Sequence, residues 1–457
     1  MPAIFIHLSD IHFGQEKNTA VHTHDDVKEQ LIADAANLIS DLHGGKATGI
    51  LVTGDIAQAG KKGQYDVAGV WLDRLANAVG CEVTSIQMVP GNHDLDRDRS
   101  SRSLQHLLPE LLAGGSDEYE SVLCNEVDRQ ALFARFTDYI NFSEAYNCPL
   151  DLHGKFTEKA VEIAPDRWIR FVRMNSSLLC SEKDSPDEPK LFIGARQFTK
   201  IPRRPGEENV VLIHHPLNWY KDAEDAWPYI RSRSRVFITG HEHFPRVKVE
   251  NVEDGSDIMM LAAGATVPYK SDGQYTYSYN ILEFDWDKEK DALAVKIFPR
   301  AWNPKHTRFD ADNAALQGND PRFVLGSPKF RERATKTNQI ANGPKPPSER
   351  LVAIVDVEDQ PGSLVSEPEA PSTKTAEQHE PDGYRFALLR FFRDLVEAER
   401  IRILLDLDAV PADFDDPITH NVQRELLDEL AEQGRIVELA RKIEDTISTR
   451  KRTDSHE

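Results

Sequence analysis

Five short apolar runs in the first 243 residues each end in a cluster of metal-capable side chains, and this repetition narrows the folds open to the 457-residue chain. The clusters read LSDIHFG (Asp10, His12), VTGDIA (Asp55), VPGNHDLD (Asn92, His93, Asp94), VLIHHPL (His214, His215) and ITGHEHF (His241, His243). A short apolar run closed by Gly, Asp or Asn reads as a buried β-strand emptying into a loop. Helical spacing over about 25–42 and 64–78 separates strands at Ala3–Leu8, Gly49–Thr53 and Cys81–Val89. Such β-α-β-α-β alternation means a mostly parallel sheet with helices on its faces. Ligands in these sheets gather beyond the carboxyl ends of the strands, where all five clusters fall.

Carboxylates, imidazoles and one carboxamide suit hard-to-borderline cations such as Mn, Fe, Zn or Mg. None of the clusters contains the thiolates that a structural zinc site favours. The supply of ligands exceeds the needs of one ion and suits two held a few Å apart. In Asp10-x-His12 and His241-x-His243, strand alternation would place both side chains on one face. The same alternation lets only one of His214 and His215 face the ions. Gly54, Gly91 and Gly240 allow the chain to turn sharply as it leaves each strand.

In their order and content, the motifs resemble those of the dinuclear metallophosphoesterases, also called calcineurin-like phosphoesterases, over about residues 3–300. The resemblance implies an α/β fold, a four-layer β-sandwich flanked by helices. It also implies that Asp10, His12 and His243 hold one ion, that Asp55 bridges both, and that Asn92, His214 and His241 complete the second. His214 is favoured over His215 because the family places this ligand two residues before a proline-like turn. His93 would contact the phosphate and help protonate the leaving group, oriented by Asp94. The implied activity is metal-dependent phosphohydrolysis, foremost of a phosphodiester, with hydroxide shared by two divalent or trivalent ions attacking phosphorus in line. Manganese is the ion expected to serve in vitro. The alternatives are a DNA or RNA nuclease effector of a bacterial defence system, and a non-catalytic scaffold. The full set of ligand types together with His93 and Asp94 favours an enzyme.

The length points to more than one domain. Residues 1–330 read as the catalytic unit. Within it, 98–165 reads as a helical insertion capping the site, with Leu104, Leu108, Leu111, Leu132, Phe136 and Tyr139 at helical spacing. Further strands are expected at Trp168–Met174, Val210–Ile213, Val236–Ile238, Ile258–Ala262, Tyr279–Asp285 and Ala292–Phe298, the last three forming an antiparallel edge or second sheet. His7, inside the first strand, reads as a satisfied core histidine. Residues 331–382 are rich in Pro, Ser, Glu, Lys and Thr and read as a flexible linker. Residues 383–457 carry apolar side chains at i, i+3, i+4 and i+7, which predicts a separate small helical bundle. That bundle resembles death-like and effector-associated adaptor domains, which implies a protein partner or self-association through residues 384–452. The linker lacks apolar periodicity, so the two units are expected to fold independently.

A net charge of −21 argues against a surface built for general nucleic-acid binding. Local basic residues, Lys200, Arg203 and Arg204, then Arg231, Arg233 and Arg235, then Arg246 and Lys248, are candidates to rim a cleft for a phosphodiester or nucleic acid. The four cysteines lack CxxC spacing and read as reduced, mostly buried thiols. The first strand starts at Ala3 without a leader pattern, and no apolar run approaches the ~20 residues of a membrane span. The expectation is a soluble cytoplasmic protein with no membrane partner.

Overall fold

The computed structural model describes residues 1–16, 20–42, 44–180, 191–251, 255–268, 276–332, 380–411, 414 and 418–454. The first hundred residues alternate as expected: β1 (Ala3–Leu8), α1 (Ala20–Asp41), β2 (Gly49–Val52), α2 (Lys62–Ala78) and β3 (Ile86–Met88). The three strands are parallel, with Phe5 opposite Gly49 and Ile50 opposite Ile86. Four helices follow: α3 (Arg102–Ala113), α4 (Ser116–Cys124), α5 (Glu126–Phe133) and α6 (Thr137–Ala145). They fall in the stretch where a helical insertion is expected, and β4 (Thr157–Ala164) lies inside the 98–165 range.

β4 pairs antiparallel with β5 (Arg167–Arg173), and β6 (Glu207–Leu212) and β7 (Ser234–Thr239) continue the second sheet in parallel. The short α7 (Ala195–Phe198) and α8 (Ala223–Arg233) intervene. β8 (Arg246–Asn251) and β9 (Asp257–Ala262) complete that sheet. β10 (Ser278–Asp287), β11 (Ala292–Asn303), β12 (Arg308–Ala311) and β13 (Arg322–Leu325) return to the first sheet. The Ile258–Ala262 expectation needs correction, because β9 runs parallel to β7 rather than antiparallel with β10 and β11. Its apolar run is buried on both sides, and such a run does not encode direction.

Strand alternation builds the four layers. In β1, Ala3 and Phe5 face the second sheet, while Ile4, Ile6 and Leu8 face the helices. Val210 and Leu212 of β6 face inward likewise, and Val211 faces outward. At the centre of the sandwich Phe5, Phe171 and Phe284 meet edge-to-face, with ring centroids 5.0–6.2 Å apart. His7 is satisfied by Thr53 Oγ1 at 3.1 Å, and burial pushes it down to about 3. All four cysteines are free; Cys148 and Cys180 are buried, Cys81 is half-buried and Cys124 is exposed. No helix among the described residues is long and apolar enough to cross a membrane.

The C-terminal bundle comprises α9 (Glu380–Asp394), α10 (Glu397–Asp406), α11 (His420–Glu432) and α12 (Ile436–Asp454). The linker expectation lies outside the described residues from 333 to 379. The bundle is seated on the insertion. Leu388, Phe391 and Phe392 of α9 belong to the same continuous apolar cluster as Tyr65, Phe142 and Tyr146. Arg393 pairs with Asp73, and Arg424 pairs with Glu144 and donates to Asn147 Oδ1 at 3.3 Å. Linker composition reports only on the linker. The FALLRFF segment of α9 is apolar over more than one face, enough to serve both the bundle and α6. Removing residues 380–457 therefore uncovers an apolar face of α6. The shortened protein is expected to melt lower than the full chain and to bind a hydrophobic dye; an unchanged melting temperature without dye binding would show that the seam contributes nothing.

Candidate metal centre

All seven predicted ligands converge at the carboxyl ends of β1, β2, β3, β6 and β7. Asp10, His12 and His243 form one group whose donor atoms lie within 4.8 Å of one another, and Asp10, Asp55 and His214 form another. Asp10 Oδ1 is 3.2 Å from His243 Nε2 and 4.0 Å from His12 Nε2. Asp55 stands between the two sides: its Oδ2 lies 3.8 Å from His12 Nε2 and 3.5 Å from His214 Nε2. His214 Nε2 in turn lies 3.1 Å from Asn92 Oδ1 and 3.2 Å from His241 Nδ1.

These ligands are not in strands. β1 ends at Leu8, and Asp10, His12, Asp55, His241 and His243 all have left-handed φ, between 52° and 68°. The strand-face explanation for the two x-spaced pairs is therefore corrected: each pair flanks a tight turn. Such backbone costs ~1–3 kcal/mol per residue, which surrounding bonds must offset. Those bonds are present. The amides of Ile11 and His12 both donate to the Asp55 carbonyl at 2.9 Å, and Asp10 N donates to the Gly54 carbonyl at 3.0 Å. The glycines also act differently from expectation at two positions. Neither Gly91 nor Gly240 has positive φ; a side chain on Gly91 would collide with Asp55, and one on Gly240 with Ser9 and the Thr53 carbonyl. The loops pack backbone to ligand there.

His214 reaches Asp55 and Asn92 as well as His241. Its Nδ1 donates to the Thr53 carbonyl at 2.7 Å, leaving Nε2 for a ligand. His215 offers a donor atom within 4.8 Å of those of His214 and His241, but its Nδ1 lies 2.8 Å from Ser176 Oγ and its Nε2 3.8 Å from Cys180 Sγ. It lies behind His241, and Trp219 stands edge-on to that ring at 4.3 Å.

Electrostatics test whether cations fit. Asp10 and Asp55 are 0% and 1% exposed, and among the described residues neither pairs with a lysine or arginine. Buried carboxylates without counter-charge are strongly disfavoured. Only histidines compensate them. Burial alone would raise both acids, but His214 holds Asp55 well below the usual carboxylate range and His243 does the same for Asp10. Reciprocally, the two carboxylates overcome burial at His214, pushing it up to about 9, and Asp10 raises His243. Burial dominates at His12 and His241, which fall to about 4 and 3. The site stabilises positive charge at its centre, and cations can displace the protons that supply it. The residues present fit two such ions.

His93 lies beside His12, with ring centroids 4.8 Å apart, and its Nδ1 is 2.8 Å from the Gln58 carbonyl. That carbonyl, not Asp94, orients the ring, so the implied role of Asp94 is corrected. Asp94 accepts from the amides of Ala57 and Gly91 at 2.9 Å and of Ile56 at 3.2 Å, and from Tyr65 Oη at 3.0 Å. Burial and the charge of Asp55 push it up to about 6. It ties the second and third motif loops together.

Residues 4–245 match the family described as calcineurin-like phosphoesterase. The chain belongs to that family. Residues 383–445 match a GTPase-associated adaptor domain, a more specific description than the adaptor likeness of the helical pattern. An uncharacterized metallophosphoesterase-like protein of Bacillus subtilis (strain 168), YydB, is 21% identical over 325 residues, 68% of this chain and 62% of the relative. The chain thus spans less than two thirds of that relative's length. Among solved structures, a purple acid phosphatase from yellow lupin seeds is 10% identical, covering 70% of this chain and 56% of that one, with a TM-score of 0.38. A conserved uncharacterized protein from Streptococcus pneumoniae TIGR4 is 11% identical, covering 71% and 98%, with a TM-score of 0.28.

Several residues escaped the sequence reading because ordinary residue types carry no motif: Ser9, whose Oγ donates to Asp10 Oδ2 at 2.5 Å, Tyr65 and Trp219. Arg97 also escaped. It donates to the Asn92 carbonyl at 3.2 Å, its Nε has no partner, and no carboxylate pairs with it among the described residues. Four of the eight basic-rim candidates are in ion pairs, while Arg203 and Arg233 bond only to Ser232 and backbone carbonyls. Arg235 is buried against Glu208, Arg204 meets Glu158, Arg246 meets Glu242, and Lys248 meets Glu250. Because Asp55 touches both sides of the centre, Asp55→Ala is expected to leave fewer than two ions per chain by elemental analysis. Two tightly held ions in that variant would refute the bridging assignment.

Proposed function

We propose that the chain is a dinuclear metal-dependent phosphoesterase acting foremost on phosphodiesters. The position of Asp55 between the two donor groups carries this reading, since one carboxylate within 3.8 Å of donors on both sides suits a pair of cations rather than one. Asp10, His12 and His243 would hold one ion, Asn92, His214 and His241 the other, with Asp55 shared. Bound there, the ions would supply a water of near-neutral pKa and neutralise charge on the phosphate oxygens. Manganese is the ion proposed for work in vitro. The four free cysteines support a reducing, cytoplasmic setting.

The protein's own groups do the rest. His93 donates Nδ1–H to the Gln58 carbonyl, and in its imidazolium form it would carry a second proton on Nε2 to give to the departing oxygen, leaving the neutral Nδ1–H tautomer. Among the described residues, Arg97 is a cation beside the centre without a carboxylate partner. A single such cation suits the monoanion of a diester better than the dianion of a monoester. The bonds of Asp94 to three amides keep the loops at working distance.

The test is a manganese-supported panel of bis-p-nitrophenyl phosphate, p-nitrophenyl phosphate, cyclic nucleotides, and single- and double-stranded DNA. Diesters are expected to turn over faster than the monoester; preference for the monoester would reject the phosphodiesterase reading, and preference for DNA would make it a nuclease. His93→Asn is expected to keep its metal and lose ~10²-fold in turnover, the usual scale for a positioned acid. The loss should shrink for p-nitrophenolate, which leaves without protonation. An equal loss for every leaving group would make His93 a binding group instead.

A further inference from the structure

A cavity of about 370 Å³ opens between the helical insertion and the C-terminal bundle, lined by residues of α2, α6, α9 and α10, by Arg99 and by His420 of α11. Its size falls within the ~300–1,000 Å³ of small-molecule sites. Tyr65, Phe142 and Phe392 are among its lining residues and are themselves buried, Tyr65 stacked on Phe142 and Phe392 covered by Arg400 and His420.

The charges of the lining are unequal. Lys62 Nζ lies 2.8 Å from Asp66 Oδ1, Arg99 reaches Asp138 at 3.4 Å, and Arg393 meets Asp394 at 2.8 Å. Arg400 has no such partner. It is 4% exposed and no carboxylate contacts it among the described residues; Glu397, one helical turn earlier and also lining the cavity, acts on it from a distance, and burial outweighs that attraction. Its Nη1 makes one long bond, 3.4 Å, to the Phe392 carbonyl, and its Nε makes none. The guanidinium lies 5.4 Å from the Phe392 ring centre. Buried cations are ordinarily paired, since removing a charge from water without a counter-ion is costly. A guanidinium fork with open donors is matched to the paired oxygens of a phosphate.

We propose that this seam binds a small phosphorylated molecule of nucleoside-monophosphate size, its phosphate on Arg400 and the remainder in the cavity between α6 and α10. The site is distinct from the metal centre, and the inference does not rest on the dinuclear reading. It is also connected to that centre. Tyr65 lines the cavity, and its hydroxyl donates to the Asp94 carboxylate that holds the amides of Ile56, Ala57 and Gly91. Occupancy would join the bundle to the insertion and load the tyrosine that braces two ligand loops.

Calorimetric titration of the full chain with adenosine and guanosine monophosphates tests this, using four proteins: wild type, Asp55→Ala, Arg400→Met and Asn141→Trp. Asn141 lines the cavity, so a tryptophan there fills it. At least one nucleotide is expected to bind wild type and Asp55→Ala alike. Its affinity should fall at least ~10-fold in Arg400→Met, the scale of one lost charged hydrogen bond, and fall comparably in Asn141→Trp. Adenosine or guanosine without phosphate should bind no better than Arg400→Met binds the nucleotide. Loss of binding in Asp55→Ala would place the nucleotide at the metal centre and overturn the proposal. Unchanged affinity in Arg400→Met, or no binding by wild type, would also overturn it. Folding is controlled by melting without ligand: Arg400→Met should melt at or above wild type, because an unpaired buried charge has been removed. A lower melting temperature would make Arg400 a structural residue and refute the anchor role.

Discussion

Two carboxylates buried without a lysine or arginine determine how the rest of this protein is built. Asp10 and Asp55 sit within reach of one another's histidines at the meeting point of two sheets. Their charge is tolerable only where something positive joins them. Of the imidazoles around them only His214 and His243 are raised, while burial holds His12 and His241 low, so protons supply that charge weakly and metal cations would supply it strongly. The demand explains the layout outward from the centre. Carbonyls of Thr53 and Gln58 fix His214 and His93, and Asp94 gathers backbone amides behind the loops. The sandwich core holds the strand ends in register.

Local strain follows from the same demand. Five of the candidate ligands adopt left-handed backbone, and two motif glycines are needed because neighbouring loops leave no room for a side chain. Each of these features is unfavourable alone. Together they place donors from widely separated segments within 4.8 Å of one another before any ion arrives. Pre-placement of this kind is what a rigid sheet end can offer and a flexible loop cannot.

Much of this was legible in residue order. Strands β1 and β2 and helix α2 fall within a few residues of the positions that periodicity assigns, and the ligand types announce themselves. Other features were hidden for identifiable reasons. The direction of β9 depends on its neighbour β7, which its own apolar run does not specify. The two-residue spacing of Asp10 and His12 suits a strand face as well as a left-handed turn. The position of His215 behind His241 depends on Ser176 and Cys180, which no spacing rule connects to it. The docking of the bundle on α6 was obscured by the linker, although the broad apolar surface of α9 foreshadowed a second contact. That docking turns a catalytic unit and an adaptor into one apolar cluster. It also gives the adaptor a physical path, through Tyr65 and Asp94, to the loops at the centre.

The central claim is that one site holds two cations and that Asp55 lies between them. Anomalous diffraction from crystals grown with manganese addresses it directly. The account predicts two peaks separated by ~3.5–4 Å, the spacing of two-metal sites, with Asp55 contacting both and His214 rather than His215 at the second. A single peak, or two peaks that share no carboxylate, would contradict it.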